Sequence, residues 1–259
     1  MITVKKYAAN VRNRVVYDIL SMFDHKKSEI TLMNYGYVGK VAGPLPDVSE
    51  GEKNRLRLYM HVLGGADIFG KDVIEIASGR GGGAYFTATE LKPNLLEAIE
   101  LSPKAVKFAR KHFKAPGLRY SVGNAHNIPF KNDKFDVAVN IESSHWYGDT
   151  AVFFKEVSRV LKKGGHFLFA DFRDLSQLPT MIKEIKRAGF SIILDEDITP
   201  NVIAALNSDN EYKKFFVNRF PKPLRGYAET FAGLKGSVMY MAFETGQRVY
   251  KNYILQKVV

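Results

Sequence analysis

Between residues 72 and 172 the chain repeats one alternation, a short and almost uninterrupted apolar run followed by an amphipathic stretch, and little else folds from such a pattern. The apolar runs are 72–77 (Asp-Val-Ile-Glu-Ile-Ala), 94–101, 118–123, 134–142 and 166–172. Strands that show no polar face must be covered on both sides, as happens in a parallel sheet whose crossovers are helices. The intervening segments read as those helices. They run from Gly83 to Leu91, from Pro103 to Phe113 with proline in the first turn, and from Thr150 to Leu161, where Lys162-Lys163-Gly164-Gly165 closes the last. The reading is an α/β chain with a Rossmann-like, seven-stranded, mostly parallel sheet, an antiparallel last strand and helices on both faces.

Outside this frame the pattern loosens. A helix near 176–188 and a strand over 190–198 continue the core, and a long strand from Gln247 closes it. The interval 199–245 is rich in aromatic residues, among them Phe215, Phe216, Phe220, Tyr227, Phe231 and Tyr240, and is too apolar to be a disordered linker. Residues 5–23 carry apolar positions at helical spacing, and 49–63 form a second amphipathic helix opened by Ser49 with Glu52 three later, a capping box. The expected division is a helical N-terminal lid (1–48), a core (49–198 and 246–259) and a helical substrate cap (199–245), both covers lying over the carboxyl ends of the strands, where open α/β sheets bind ligands.

The loop after the first strand, Gly79-Arg-Gly81-Gly82-Gly83, holds four glycines in five residues. Bare backbone there suits close approach of a nucleotide-like ligand, and Gly81→Val is expected to fill the ligand's space. Gly79-x-Gly81-x-x-Ala84 with Glu100 further on satisfies a relaxed dinucleotide fingerprint. Two residues oppose that reading. Glu75, an acid inside the apolar strand, would repel a pyrophosphate and suits a cationic ligand or the loop's own amides. Asn124-Ala125, just past the third strand, offers a polar and a small residue where a purine edge can be read.

Composition removes other classes. With no cysteine there is no disulfide or thiolate zinc site, and the six histidines lack ligand spacing, so no metal is expected. No apolar window reaches the ~18 to 20 residues of a membrane span and the N-terminus lacks a secretory core, so a cytoplasmic location is expected. The net charge of +11 comes from lysines spread along the chain, the pattern of solvated helix faces more than of a nucleic-acid surface.

Taken in order, Glu75-x-Ala77-x-Gly79-x-Gly81, Glu100, Asn124-Ala125, Phe135 to Glu142 and Arg159 to Gly165 resemble the class I S-adenosylmethionine-dependent methyltransferases over about residues 50–175. Met33-Asn-Tyr-Gly-Tyr-Val38, Asn140-Ile-Glu-Ser-Ser-His145 and Gly164 to Arg173 are more narrowly similar to bacterial small-molecule enzymes acting on phthiotriol-type polyketide lipids and other natural products. The resemblance implies S-adenosyl-L-methionine as cofactor. Gly79 and Gly81 would pass its methionine part, Glu100 would bind both ribose hydroxyls, and Asn124 with the Ala125 backbone would read adenine. Leu101, Ile141 and Tyr35 would flank it, and Glu75 would be a structural or amino-group partner. The family usually has glycine where Ala77 stands and aspartate where Asn124 stands.

Methyl transfer from a sulfonium is an in-line displacement that needs alignment and, for a hydroxyl acceptor, loss of a proton. His145, at the carboxyl end of the fourth strand, is the candidate base, and Asp171, near the end of the fifth, would orient it or touch the acceptor. The expected reaction is methylation of a hydroxyl on a small, partly apolar acceptor. Methylation of nitrogen or carbon on a heterocycle or isoprenoid is an open alternative, as are an RNA methyltransferase and a non-catalytic nucleoside-binding protein. Against RNA, the fourth strand ends Asn140-Ile-Glu-Ser where base-amine enzymes carry Asn/Asp-Pro-Pro-Tyr/Phe. The expected partner is therefore a small-molecule acceptor and no nucleic acid, with a homodimer left open.

Overall fold

The computed structural model describes residues 31–43 and 45–259. Seven strands form one sheet: β1 (Asp72–Ile76), β2 (Leu95–Glu100), β3 (Leu118–Val122), β4 (Phe135–Ile141), β5 (Leu161–Asp174), β6 (Phe190–Asp197) and β7 (Arg248–Lys257). Their order is β3-β2-β1-β4-β5-β7-β6. The first five are parallel, and β7 runs antiparallel between β5 and β6. The chain leaves β1 toward β2 and β3, then returns to lay β4 on its other side. That reversal opens a crevice at the carboxyl ends of β1 and β4.

Strand alternation divides the core in two. Val73, Leu96, Val137, Val139, Leu168 and Ala170 pack on one face with Leu58, Val62 and Leu63 of α1 (Glu50–Leu63) and with Val106 and Ala109 of α3 (Pro103–His112). Ile74, Ile76, Ala138, Phe167 and Phe169 pack on the other with Phe153, Phe154 and Val157 of α4 (Thr150–Val160) and Met181 and Ile185 of α5 (Leu178–Arg187). All of these side chains are buried, which is why the strands read as continuous apolar runs. The Ser49 hydroxyl caps α1 by accepting from the Glu52 amide.

Four helices fill the interval between β6 and β7: α6 (Thr199–Ser208), α7 (Asn210–Val217), α8 (Lys222–Ala232) and α9 (Val238–Glu244). They carry a small core of their own, Val217, Phe220, Ala228 and Leu234. The segment ahead of α1 ties them down. Val38 N donates to Asn201 O (3.2 Å), Asn201 Nδ2 to Val38 O (2.8 Å) and the Tyr35 hydroxyl to Phe231 O (3.2 Å).

Three elements differ from expectation. Helix 83–91 is α2 (Gly82–Phe86) continued by a π-helical turn, Thr87–Leu91, in which the Thr87 and Thr89 hydroxyls donate back to the Gly83 and Tyr85 carbonyls. Strand β5 begins five residues earlier than read, because Leu161 pairs with Phe135 across a bulge before the regular ladder starts at His166. The described part of the N-terminal lid contains no helix. Gly36 has φ +84° and its amide donates to the Asn34 side chain (2.9 Å), a local turn that competes with helix. The helix read over 5–23 lies outside the described residues.

Candidate active site

The turn after β1 takes left-handed backbone at alternate residues: Ala77 (φ 60°), Gly79 (φ 56°) and Gly81 (φ 88°). Each reversal lets the chain double back under the strand ends. Ser78 N donates to Ile99 O and Gly81 N to Ser78 O, both at 3.0 Å. The glycines meet different neighbours. A Cβ on Gly81 would lie 2.7 Å from Ala109 Cβ and 2.8 Å from the Tyr120 ring, one on Gly82 would strike the Thr31 carbonyl, and one on Gly83 would enter the Tyr59 ring. Three of the four glycines thus serve packing, and Gly79 borders the cavity above the turn. Gly81 does not border that cavity, and the space a side chain there would need is taken by α3 and Tyr120.

That cavity, about 200 Å³, is walled by Ala77, Ser78, Gly79, Glu100, Leu101, Asn124, Ala125 and Ile141, so that eight of the residues read from the sequence or adjacent to them converge on one space. Glu100 is held on its wall by two amides, Gly79 N to Oε2 (3.1 Å) and Ser102 N to Oε1 (2.8 Å). Burial raises the pKa of this carboxyl, and the amides partly offset the effect. The Asn124 side-chain oxygen accepts from His126 N (2.9 Å), closing a tight turn that presents Ala125. Glu75 lies behind the loop and does not border the cavity. It is buried, accepts from the Tyr59 hydroxyl (3.0 Å), and burial pushes its carboxyl up to about 7 against that bond.

A second cavity of about 210 Å³ adjoins the first under the cap, and Leu32, Met33, Asn34, Arg80, Glu142, Trp146, Tyr227 and Phe231 border both. Tyr35 borders only this one, a difference from the cofactor role read for it: its ring stacks on Phe172 (5.7 Å between centroids) and its hydroxyl is spent on Phe231. The rest of the wall is mostly apolar, with Val217, Phe220, Ala228 and Met239 from the cap.

His145 borders this cavity, and Asp171 lies buried behind it. A short 3₁₀ turn after β4, Ser144–Trp146, carries the imidazole, which stacks on Phe172 with ring centroids 4.0 Å apart. Its Nδ1 lies 2.7 Å from Asp171 Oδ1. Asp171 is buried and receives the Ser144 hydroxyl (2.6 Å) and the His145 amide (2.9 Å) on Oδ2, with the Arg173 guanidinium 3.2 Å from the same oxygen. Burial works against its charge, but His145, Arg173 and the hydrogen bonds outweigh burial and hold the carboxyl below its usual range. An ionised Asp171 orients the proton onto Nδ1 and leaves Nε2 as the basic nitrogen. Among the described residues no cluster of histidine and acidic side chains could hold a metal ion, and no helix is long and apolar enough to cross a membrane.

Two residues that the sequence reading left unassigned also face these cavities. Glu142 closes β4 as Glu100 closes β2, and an acid ending an apolar strand was the available signal. It has left-handed backbone (φ 49°), accepts from Tyr35 N (2.7 Å), and burial pushes its carboxyl up to about 8. Lys213, one turn into α7, gives no such signal in a segment read only as apolar cap.

Residues 74–169 match the model of a methyltransferase domain. Phthiotriol/phenolphthiotriol dimycocerosates methyltransferase of Mycobacterium leprae (strain TN) is 31% identical over 88% of this chain and 86% of its own. Fatty-acid O-methyltransferase of Mycolicibacterium smegmatis is 30% identical over 80% and 76%. In fold the chain resembles the cyclopropane synthase MmaA2 from Mycobacterium tuberculosis (TM-score 0.68, 14% identity, 91% and 95% covered) and a geranyl diphosphate C-methyltransferase from Streptomyces coelicolor A3(2) (TM-score 0.66, 18% identity, 93% and 97% covered). With its strand order, its glycine turn and its relatives in agreement, the chain belongs to the S-adenosylmethionine-dependent methyltransferase family that includes the phthiotriol/phenolphthiotriol dimycocerosates enzymes.

Proposed function

We propose that this methyltransferase methylates a hydroxyl oxygen of a lipid-like acceptor seated in the cavity beneath the cap. The observation that carries the reading is His145, backed by the buried Asp171, on the wall of a mostly apolar cavity that shares a border with the cavity at the glycine turn. Relatives named for lipid acceptors, one of them an O-methyltransferase, support the same choice.

The residues at the first cavity suit the cofactor. Ser78 Oγ is buried there without a hydrogen-bond partner, and the Glu100 carboxylate is fixed facing it. Glu100 would take the ribose hydroxyls, Asn124 and Ala125 the adenine, Ala77, Ser78 and Gly79 the methionine part, and Leu101 and Ile141 the apolar flanks. When bound, S-adenosylmethionine supplies an electrophilic methyl on a sulfonium. Everything else falls to the chain. Glu142 and Trp146, on the shared border, flank the passage between the cavities, where donor and acceptor would be aligned. His145 Nε2 takes the acceptor's hydroxyl proton as the oxygen is alkylated, and Asp171 stabilises the imidazolium that results.

Mass spectrometry after incubation with methyl-labelled S-adenosylmethionine and a panel of long-chain alcohols, amines and alkenes tests this. The expected product is a labelled methyl ether of an alcohol. Label recovered only on amines or on alkene carbon would replace the hydroxyl reading with the alternative one.

A further inference from the structure

At the cap end of the acceptor cavity a buried ammonium lacks a hydrogen-bond acceptor. Lys213 is 8% exposed and borders the cavity, and its Nζ has no hydrogen-bond partner among the described residues. Asp209 Oδ2 is 3.8 Å away, beyond hydrogen-bond reach, and that oxygen is already engaged by Arg55 Nη2 at 2.7 Å. A buried cation left in this way is costly, because three donors have lost water and gained no acceptor. Burial first, then Arg55, pulls the amine down to about 8, so it is still mostly charged at neutral pH.

The charges around it set the kind of ligand. Arg55 and Asp209 form a close pair and cancel. Glu142, also on this wall and held mostly protonated by burial, adds little. Arg80 is stacked over the Phe108 ring, 3.9 Å from its centroid. Lys213 and Arg80 leave this wall with more cations than ionised acids, and Lys213, whose Nζ lacks a hydrogen-bond acceptor, suits a negatively charged group on the ligand. Its position relative to the base is also defined. Lys213 Nζ lies 5.9 Å from the Tyr35 ring centroid, Tyr35 stacks on Phe172, and Phe172 carries His145. An acceptor reaching both would lie across two aromatic rings, with apolar chain against Val217, Phe220 and Met239.

We propose that Lys213 is an anion subsite of the acceptor cavity, and that the natural acceptor carries a carboxylate in addition to the group that is methylated. The inference rests on this cavity being the acceptor site. It is tested by binding alone, so that absence of a methylated product would count against hydroxyl methylation without touching the subsite.

Trp146, the only tryptophan of the chain, borders the cavity and reports its occupancy by fluorescence. Dodecanoate and dodecanol, titrated below their aggregation concentrations in the presence of S-adenosylhomocysteine, differ only in the anionic head. The wild-type protein is expected to bind the acid at least ~10-fold more tightly than the alcohol, as one charge-assisted hydrogen bond provides. Lys213→Met should remove the preference while keeping dodecanol affinity, and Lys213→Arg should keep the preference. Equal affinities in the wild type, binding of neither ligand, or an acid preference that persists in Lys213→Met overturns the proposal. Unchanged melting temperature or a rise in Lys213→Met separates loss of a ligand contact from loss of the fold.

Discussion

The two cavities share a border but are built in different ways. The one at the glycine turn is made by strand ends and main chain: Ala77 to Gly79 after β1, Glu100 and Leu101 at the end of β2, Asn124 and Ala125 after β3 and Ile141 at the end of β4. The one under the cap takes its character from side chains more than 170 positions apart in sequence, Leu32 to Ala232 among them. A sheet fixes the first set by topology alone, since parallel strands must end together. The second set depends on how the α6–α9 insertion settles onto residues 31–43, which no local pattern dictates. The donor side of such an enzyme is therefore legible from order and spacing, and the acceptor side from tertiary packing.

The sharpest test of this division is to remove one group from each side. His145→Ala should lower turnover by about 10²- to 10⁴-fold, the usual worth of a positioned base, and leave S-adenosylmethionine affinity in calorimetry unchanged. Wild-type turnover would remove His145 from the chemistry, and a parallel loss of cofactor affinity would dissolve the distinction between the two walls. Glu100→Ala should do the converse. Losing the carboxylate proposed to take the ribose hydroxyls should weaken cofactor binding by about 1 to 3 kcal/mol, and acceptor affinity, read by Trp146 fluorescence, should not follow.

The sequence made much of the frame visible for identifiable reasons. Buried parallel strands leave apolar runs, and the glycine turn, Glu100 and Asn124-Ala125 each sit at a strand end, so their convergence followed from the sheet. His145 and Asp171 stand out by the same rule as polar residues near strand ends, but their 2.7 Å contact depends on the turn Ser144–Trp146 folding back over β5. What was hidden needed three-dimensional neighbours. That a side chain on Gly81 would meet Ala109 and Tyr120 is not visible from the glycine spacing. Lys213 looked like one more surface lysine. Its burial arises because α7 faces inward over the cavity.

Gly81→Val now tests packing instead of ligand access. Left-handed backbone and a Cβ against α3 should cost about 1 to 3 kcal/mol of stability in urea unfolding. If stability were unchanged and only cofactor affinity fell, Gly81 would return to the ligand wall.

Titration distinguishes the regions more gently. Burial raises Glu142 to about 8 and Glu75 to about 7, against an unfolded-chain value of about 4.3. Raised acids favour the protonated, folded state, so their contribution is full below about pH 4.3 and is lost as pH rises through 7 to 8. The urea midpoint should fall from pH 5 to about pH 7.5, a window in which the carboxylates with lowered pKa stay ionised and Lys213, lowered to about 8, has not yet lost most of its proton. Glu142→Gln should remove the larger share of that slope, because its shift is the larger. A slope identical to wild type would place the ionisation elsewhere.

The smallest effect lies where the two kinds of wall meet a local strain. Ala77 is an L-residue held at φ 60° between a buried strand and the glycine turn. Its methyl costs about 1 kcal/mol there relative to glycine, partly offset by glycine's greater freedom when unfolded. Ala77→Gly should therefore raise the melting temperature by about 1 to 3 °C. Since the turn is held by Ser78 N to Ile99 O, Gly79 N to Glu100 and Gly81 N to Ser78 O, the donor wall should keep its shape without the methyl. Cofactor affinity should then stay within about twofold. A stable variant that loses affinity would mean that the methyl itself touches the ligand, and the donor wall would owe its fit to a side chain after all.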